Sequence, residues 1–477
     1  MKLYTNVPEF YNDISEEIRL FITDSEIVLA DEGDISVTLE VGESFVACAE
    51  YGGFRYIHTA PYVGGSEIIE KRYAKRAVKA AVFRALKQAF PERLIPWGSL
   101  TGIRPTRLLR ELVSSLGREE AFRVMREEFD VTEQKLLLAD EINSVQKPVL
   151  ESAKPDDIGV YIGVPFCRTR CLYCSFASEI RTERTDMEAY LSALFRDIEL
   201  GSRMVREHGL FPRSFYFGGG TPTVLTEDEL SRLLDNLSEC YDLKGREFTV
   251  EAGRPDTVNK EKLRIMKAHG VTRVSVNPQT MCAETLRLVG RAHTPEDIKR
   301  CFTEVREVGF DSVNMDLIAG LPGETEANME KSLAAVEELE PDCLTVHTLA
   351  IKRASRLKEH MSEYELPPVE TVERLVAMGM ESARHMGMKP YYMYRQKYMA
   401  GNLENVGYSK PGAICVYNID MMEDGMSILA HGAGAMTKRV WNEGGRIERV
   451  PNPKDIRTYI EKLELTQGER EKLFDLR

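Results

Sequence analysis

The stretch IGVYIGVPFCRTRCLYCSF, residues 158–176, decides both the fold class and the chemistry of this chain. Its first half is a short apolar run, typical of a fully buried strand. Its second half carries Cys167, Cys171 and Cys174 in the spacing C-x3-C-x2-C. Three thiolates on one loop can wrap a small metal cluster, and a 4Fe–4S cubane normally takes four cysteines. With three ligands, one iron keeps an open coordination site for a substrate or a cofactor.

Zinc is the competing interpretation of the cysteine loop. A structural zinc site takes four protein ligands, and no fourth Cys or His lies nearby in the sequence. The other cysteines of the nine are scattered singly. An odd count in a long chain without a signal peptide argues against a disulfide framework.

Five further strand patterns follow the first, and amphipathic segments of helical length separate them. They are SFYFGG (214–219), EFTVEAG (247–253), RVSVNPQ (273–279), SVNMDLIAG (312–320) and CLTVHTLAI (343–351). Six strand–helix alternations predict an α/β protein with parallel strands and right-handed crossovers, either an open barrel or a doubly wound sheet. In both architectures the chemistry collects at the carboxyl ends of the strands.

The flanking regions differ in pattern from this core. Short β-branched or alternating runs precede a helical period that Pro91 ends, and the polar stretch SAKPDD (152–157) marks a boundary. We therefore predict three domains. They are an N-terminal α+β accessory domain (1–152), the α/β core (153–351) and a mixed C-terminal domain (352–477).

The composition limits the class of protein. The chain has 477 residues, 43% of them hydrophobic, and a net charge of −13. This acidic balance is unlike that of proteins that neutralise phosphates, so no nucleic-acid partner is expected. The N-terminus MKLYTNVPEF lacks a basic region followed by an apolar one, and no run is long enough to cross a bilayer. We expect a cytoplasmic protein without a membrane span.

Polar and glycine-rich groups end several of the predicted strands. FGGGTPT (217–223) lets the backbone approach a ligand closely, but it matches neither a phosphate loop nor a dinucleotide fingerprint. Glu251, Gln279 and Asp316 stand at the ends of three later strands. A carboxylate there can accept both hydroxyls of a ribose, although a single such residue is more often a solvated strand end or a helix cap. Their recurrence on one rim favours a shared ligand.

Together these motifs resemble the radical S-adenosylmethionine superfamily. YIGVPFC, FGGGTPT, Gln279, VGRAHT and DLIAGLPGET are similar to the branch that contains oxygen-independent coproporphyrinogen III oxidase. PWGSLTGIRPTRL and YRQKYMAGNLENVGYSKPG resemble its coproporphyrinogen dehydrogenase subgroup, which has an extra N-terminal domain. The resemblance implies a partial (β/α)6 barrel followed by a tetrapyrrole-substrate domain.

The resemblance also implies the site residues. Cys167, Cys171 and Cys174 match ligands of a 4Fe–4S cluster with one open iron. Further residues match positions around S-adenosylmethionine, of which one or two molecules bind: Tyr161, Tyr173, Gly219, Gly220, Thr221, Glu251, Gln279, Arg291, Asp316 and Ala350.

The implied activity is oxidative decarboxylation in haem biosynthesis. Two propionates of coproporphyrinogen III become vinyls, giving protoporphyrinogen IX, and a small redox protein supplies electrons. Propionates need cationic partners, for which Arg353, Arg395 and Lys397 are the candidates, although solvated surface charge is the commoner role of such residues.

Two departures from the resemblance keep other functions open. The oxidase has a further cysteine where this chain has Phe176. A related haem chaperone carries a His-Asn-x-x-Tyr-Trp motif, whereas no histidine here precedes an asparagine. His431 is the residue considered as a haem ligand, with a structural role favoured. The alternatives are a haem-trafficking protein that retains the cluster and a radical enzyme acting on another tetrapyrrole.

Overall fold

The computed structural model describes residues 1–22, 26–101, 104–396, 399–441 and 445–476. Lys397, one of the three propionate candidates, lies outside these ranges. The chain forms two compact units, one of Met1–Asp140 with Arg395–Leu403 and the other of Glu141–Tyr394 with Glu404–Arg477. No helix among the described residues combines the length and the apolar character needed to cross a membrane.

The first unit packs helices on a five-stranded sheet whose strand order is β2-β1-β3-β4-β5. Its strands are β1 (Lys2–Thr5), β2 (Val28–Leu29), β3 (Ile35–Val41), β4 (Ser44–Tyr51) and β5 (Phe54–Pro61). Its helices are α1 (Tyr11–Phe21), α2 (Glu67–Ala89), α3 (Pro105–Leu116) and α4 (Arg118–Glu127), and α5 (Glu133–Glu151) continues into the second unit. The alanine-rich face of α2 is buried because residues spaced by three or four lie on one side of a helix.

The second unit contains an eleven-stranded sheet and a small separate pair, β7–β8. Its strands are β6 (Asp157–Val164), β7 (Phe166–Cys167), β8 (Glu179–Ile180), β9 (Phe211–Gly219), β10 (Glu247–Glu251), β11 (Arg273–Ser275), β12 (Ser312–Ala319), β13 (Cys343–Thr348), β14 (Lys389–Tyr394), β15 (Asn405–Ser409), β16 (Ser427–His431), β17 (Met436–Val440) and β18 (Ile447–Pro451).

The six strands expected from the sequence form the parallel centre of this sheet and confirm the α/β prediction. They lie in the order β6-β9-β10-β11-β12-β13, with parallel pairing throughout. Because the spatial order follows the chain order without a reversal, the arrangement is that of a partial barrel, whereas a doubly wound sheet reverses direction. β15 and β14 extend one edge, and β16, β17 and β18 extend the other.

Eleven further helices of the described chain belong to this unit. They are α6 (Met187–Glu207), α7 (Glu227–Cys240), α8 (Lys260–Ala268), α9 (Ala283–Leu288), α10 (Pro295–Val308), α11 (Glu326–Leu339), α12 (Arg356–Glu359), α13 (Val369–His385), α14 (Val416–Met422), α15 (Ile456–Glu461) and α16 (Leu463–Asp475). Three of the crossover helices begin with capping boxes, at Thr226, Thr294 and Thr325. Each box satisfies backbone donors at the point where a loop becomes a helix.

A buried charged network ties the last helix to the barrel. Asp197 on α6 accepts hydrogen bonds from His431 Nδ1 (3.1 Å), Tyr459 (2.7 Å) and Arg470 (2.5 Å). Burial opposes the charge of Asp197, but Arg470 and His431 outweigh it and hold the pKa of the carboxyl below its usual range. An ion pair in this setting is costly to break, since removing one partner leaves the other charged and buried.

We predict that Arg470→Met lowers the free energy of unfolding of the second unit by about 3–5 kcal/mol, because Asp197 loses its guanidinium partner. Urea denaturation followed by the fluorescence of Trp441, in a Trp97→Phe background, measures this. The matched control is Arg457→Met, because the Arg457 side chain is 87% exposed and pairs only at the surface. Equal stability of the two variants would contradict the prediction.

Candidate active site

The cysteine loop begins where β6 ends and is closed by a short parallel pair. Cys167 lies opposite Ile180 in the β7–β8 pairing. The backbone N–H of Arg181 also donates to the carbonyl of Cys167 (2.9 Å). All three cysteines of the loop are partly exposed and unbridged. Within the described ranges, no three His, Cys, Asp or Glu side chains converge closely enough to hold a single metal ion.

The glycine loop after β9 lies directly against the start of the cysteine loop. The backbone N–H of Thr221 donates to Phe166 O (2.8 Å), and its hydroxyl lies 3.5 Å from Cys167 Sγ. A Cβ on Gly220 would stand 2.4 Å from Phe166 O, so no side chain fits there. Gly219 has φ +108°, a left-handed conformation that favours glycine. The loop is therefore a cradle of bare backbone beside Cys167.

Arg291 is a buried cation that joins three strand-end loops. Its guanidinium donates to the carbonyls of Asn277 (2.5 Å) and Gly253 (3.3 Å). Its charge also interacts with the side chains of Cys171 and Tyr173 on the cysteine loop. Burial raises the pKa of the Tyr173 hydroxyl, although Arg291 opposes this shift. The guanidinium therefore fixes the cysteine loop relative to the ends of β10 and β11.

Aromatic side chains surround the carboxylate at the end of β10. Tyr161 and Tyr216 lie opposite each other in the β6–β9 pairing, and the ring of Tyr216 stacks on Tyr417 with centroids 4.6 Å apart. The Tyr216 hydroxyl donates to Glu251 Oε1 (2.7 Å). Burial raises the pKa of Glu251 to about 7, with a further contribution from the charge of Asp316 and an opposing one from Tyr216.

A second carboxylate, Asp316 on β12, faces the same interior. Its Oδ2 lies 3.5 Å from His347 Nε2, and its Oδ1 accepts from Asn314 (2.8 Å). The other ring nitrogen of His347 lies 3.2 Å from the Tyr394 hydroxyl. Burial raises the pKa of Asp316, but hydrogen bonding and charge from His347 outweigh it, so the pKa stays below its usual value.

Gln279 and Asn277 place two buried side-chain amides in this interior. Gln279 adopts φ +68°, and its backbone bridges to β12 through hydrogen bonds with Asp316 O (2.8 Å) and Ile318 N (2.9 Å). The side-chain oxygens of Gln279 and Asn277 make no hydrogen bond within the described chain. A strained residue with an unsatisfied acceptor at strand ends is typical of a ligand site. The thiol loop, the bare backbone cradle and these acceptors fit a thiolate-held cluster beside a polar small molecule.

The structure brings together nearly all the residues proposed from the sequence. Ala350 lies two residues beyond β13 and is half-buried. The sequence analysis missed Tyr216, His347, Tyr394 and Tyr417. Tyr216 could have been predicted from the sequence, because it precedes Gly218 by two positions and residues two apart in a strand face the same side. His347, Tyr394 and Tyr417 come close to the site only because strands distant in sequence pair with each other. No local sequence pattern indicates such a pairing.

A cysteine loop set against a glycine loop at the ends of parallel strands defines a class of protein, and the model of the Radical SAM superfamily matches residues 161–336. HemZ of Bacillus subtilis, an oxygen-independent coproporphyrinogen-III oxidase-like protein, is 39% identical over 401 residues, which cover 83% of this chain and 80% of HemZ. The chain therefore belongs to the oxygen-independent coproporphyrinogen III oxidase-like family of radical S-adenosylmethionine proteins. Membership of this superfamily implies a 4Fe–4S cluster and S-adenosylmethionine.

Other relatives match shorter stretches. The haem chaperone HemW of Bacillus subtilis is 32% identical over 237 residues, covering 48% of this chain and 61% of HemW. The oxygen-independent coproporphyrinogen III oxidase of Escherichia coli is 32% identical over 194 residues, covering 40% of this chain and 42% of that protein. The solved structure of the Escherichia coli oxidase, HemN, superposes with a TM-score of 0.52 at 22% identity, covering 71% of this chain and 74% of HemN. That likeness supports the fold.

We predict that Gly220→Ala raises the dissociation constant for S-adenosylmethionine about tenfold, because the new methyl group pushes the glycine loop away from Phe166. Equilibrium dialysis of the anaerobic, cluster-reconstituted protein measures this. Gly468→Ala is the control, since a Cβ there meets open space. Unchanged binding in Gly220→Ala would show that the cradle does not hold the cofactor.

Proposed function

We propose that Cys167, Cys171 and Cys174 hold the 4Fe–4S cluster and that S-adenosylmethionine binds between the cysteine loop and the glycine loop. The observation that carries this proposal is the contact between the loops, with Thr221 Oγ1 3.5 Å from Cys167 Sγ and the space beside Gly220 closed to any side chain. When bound, the two cofactors supply a 5′-deoxyadenosyl radical that removes hydrogen atoms.

The other residues of the site each bind a different part of S-adenosylmethionine. Bare backbone at Gly219 and Gly220 accommodates the methionine moiety, and the Glu251 carboxylate accepts the ribose hydroxyls. Asp316 and the Gln279 side-chain oxygen, which has no hydrogen-bond partner within the described chain, offer further hydrogen-bond acceptors to the cofactor. Tyr161 lines the same interior. Four further residues complete the proposed lining of the cofactor site: Tyr173, Thr221, Arg291 and Ala350.

The substrate that we propose is coproporphyrinogen III, and the reaction is oxidative decarboxylation of two propionates. Each propionate loses one hydrogen atom from its β-carbon to the radical, which becomes 5′-deoxyadenosine. The side chain then loses carbon dioxide and one electron, leaving a vinyl group. That electron passes to a one-electron acceptor, so each electron taken up for cleavage of S-adenosylmethionine is matched by one released.

The cationic candidates for the propionates differ in availability. Arg353 is exposed and carries no ion pair among the described residues. Arg395 directs its guanidinium to Asn402 O (2.7 Å) and to Leu100 O, with the Trp97 ring 5.4 Å away. These contacts all lie within the first unit. Arg353 is therefore the better partner for a propionate in the second unit.

A haem-trafficking role is the second candidate, favoured by the match to HemW at 32% identity. Haem iron is commonly held by an accessible histidine or another axial ligand. His431 is fully buried, with Nδ1 3.1 Å from Asp197 and Nε2 3.0 Å from the Tyr241 hydroxyl. Both ring nitrogens are engaged, which supports the enzyme over haem ligation at this residue.

We predict that the reconstituted protein, given reductant, S-adenosylmethionine and coproporphyrinogen III under anaerobic conditions, forms protoporphyrinogen IX and 5′-deoxyadenosine. Mass spectrometry follows both products. Cys171→Ala removes a cluster thiolate and abolishes both, whereas Cys240→Ala, outside the loop, leaves them unchanged.

The other outcomes separate the alternatives. If 5′-deoxyadenosine forms but coproporphyrinogen III is unchanged, the assignment of coproporphyrinogen III as substrate is wrong. Another tetrapyrrole is then the favoured substrate. Stoichiometric haem binding without turnover selects the trafficking role. Product formation by Cys171→Ala contradicts the cluster assignment.

The raised pKa of Glu251, about 7, predicts a pH-dependent affinity. The charged carboxylate accepts ribose hydroxyls, so affinity for S-adenosylmethionine is full above this pKa and falls about tenfold per pH unit below it. Glu251→Gln binds more weakly and without this dependence. Tyr216→Phe shifts the midpoint upward, because the Tyr216 hydrogen bond lowers the Glu251 pKa. Equilibrium dialysis from about pH 6 to pH 8 measures both, and a flat wild-type profile would contradict the role of Glu251.

A further inference from the structure

Three segments around the cysteine loop are strongly basic. They are 168–172, 287–292 and 352–358, and together they carry eight Arg and Lys residues and no Asp or Glu. The chain as a whole has a net charge of −13. Glu284 and Glu359 lie just outside the ends of two of these segments. The charge around the cysteine loop is therefore opposite in sign to that of the protein.

The segments form one continuous surface, which we call the basic face. Leu172 is its centre, because its backbone N–H donates to Val289 O (2.9 Å) and its carbonyl accepts from Leu357 N (2.9 Å). The Arg170 guanidinium donates to Ala354 O (2.9 Å). Cys171 is thus flanked by both of the other segments.

Most cations of the basic face point to solvent. The exposed ones are Arg168, Arg287, Arg353, Arg356 and Lys358. Among the described residues, only Arg168 of these five has an acidic partner, Asp256, at 3.8 Å. Leu288 stands among them with 45% of its surface exposed. The face is therefore a cationic surface with little charge compensation from the described chain.

We propose that the basic face docks an acidic one-electron carrier protein that reduces the cluster. This inference rests on the proposed cluster assignment and names where and how the electron donor binds. An acidic partner is repelled by a chain of this net charge, so a local cationic surface is needed to steer it. Thirteen of the eighteen residues in the three segments are at least partly exposed, more than half of the roughly twenty that one side of a protein interface contributes.

A small anionic ligand accounts for Arg353, the propionate partner proposed above, but not for the other cations of this face. Small-molecule sites are concave and largely enclosed, whereas five cations here extend into solvent from three separate segments. Electron delivery also requires the carrier to approach the cluster, and Cys171 lies at the middle of the face. The position of the charges therefore favours a protein donor.

The test compares two double charge reversals in the cluster-loaded protein. Arg287→Glu with Arg356→Glu alters the basic face, and Arg203→Glu with Lys331→Glu makes the same change in net charge on the exposed sides of α6 and α11. The probe is an acidic low-potential ferredoxin. Its dissociation constant is measured by titration calorimetry at low and high ionic strength, and 5′-deoxyadenosine formation is driven either by the reduced ferredoxin or by dithionite.

We expect the face variant to bind ferredoxin about tenfold more weakly than the control variant at low ionic strength, and this difference to shrink in salt. Ferredoxin-driven formation of 5′-deoxyadenosine falls in parallel, while the dithionite-driven rate stays at the wild-type level. Equal affinities of the two variants, or wild-type binding insensitive to salt, overturn the proposal.

Two further outcomes keep the proposals separate. A matching fall in the dithionite-driven rate shows that these residues support the cluster or the binding of S-adenosylmethionine, and it overturns docking as their role. If the wild-type protein cleaves no S-adenosylmethionine even with dithionite, the cluster assignment fails, and the proposal that the face delivers electrons to the cluster falls with it. Failure to decarboxylate coproporphyrinogen III leaves all these measurements intact, since none of them uses that substrate.

Discussion

The parallel pairing of β6 with β9 is the constraint on which the second unit depends. Val164 lies opposite Gly219 in this pair, so the two strands end at the same level and the loops that leave them run side by side. Residue 220 must then be glycine, because backbone atoms of Phe166 occupy the space of a side chain. The sheet continues outward from the pair on both sides, through β10 beyond β9 and β16 beyond β6.

The interior and the exterior of the site differ in charge. Inside, Glu251 and Asp316 place two carboxylates among tyrosine rings. Their pKa values move in opposite directions, because burial dominates at Glu251 whereas the hydrogen bond and charge of His347 outweigh burial at Asp316. Such an interior suits a ligand with hydroxyl donors and a positive centre. Outside, cations surround the cysteine loop. In the proposed arrangement, the cationic cofactor therefore binds in the interior and anionic groups bind at the surface.

The sequence predicts the central strands well because parallel buried strands are short apolar runs between amphipathic helices. It predicts short strands over about the first sixty residues, but no local pattern singles out Lys2–Thr5 or Phe54–Pro61, where burial is partial and the apolar pattern is weak. Cys167 and Glu251 are predictable because their positions at strand ends follow from local pattern. His347 and Tyr417 are not, since their place in the site depends on pairings between distant segments. Arg291 is suggested only by resemblance, because nothing in its local sequence indicates that it joins three loops.

The ion pair between Asp197 and Arg470 also bears on how the protein is made. Asp197 is synthesised 273 residues before its partner Arg470. The strand β6 is likewise synthesised long before β16, with which it pairs on the side opposite β9. Contacts of such wide sequence separation form late. During much of its synthesis the growing chain therefore exposes the unpaired edge of β6 and the three thiols of the cysteine loop. A metal that the cysteine loop binds before Arg470 is synthesised is held by a barrel that is not yet complete. Chaperones that shield exposed edges, and the timing of cluster delivery, matter more for this architecture than for one closed by local contacts.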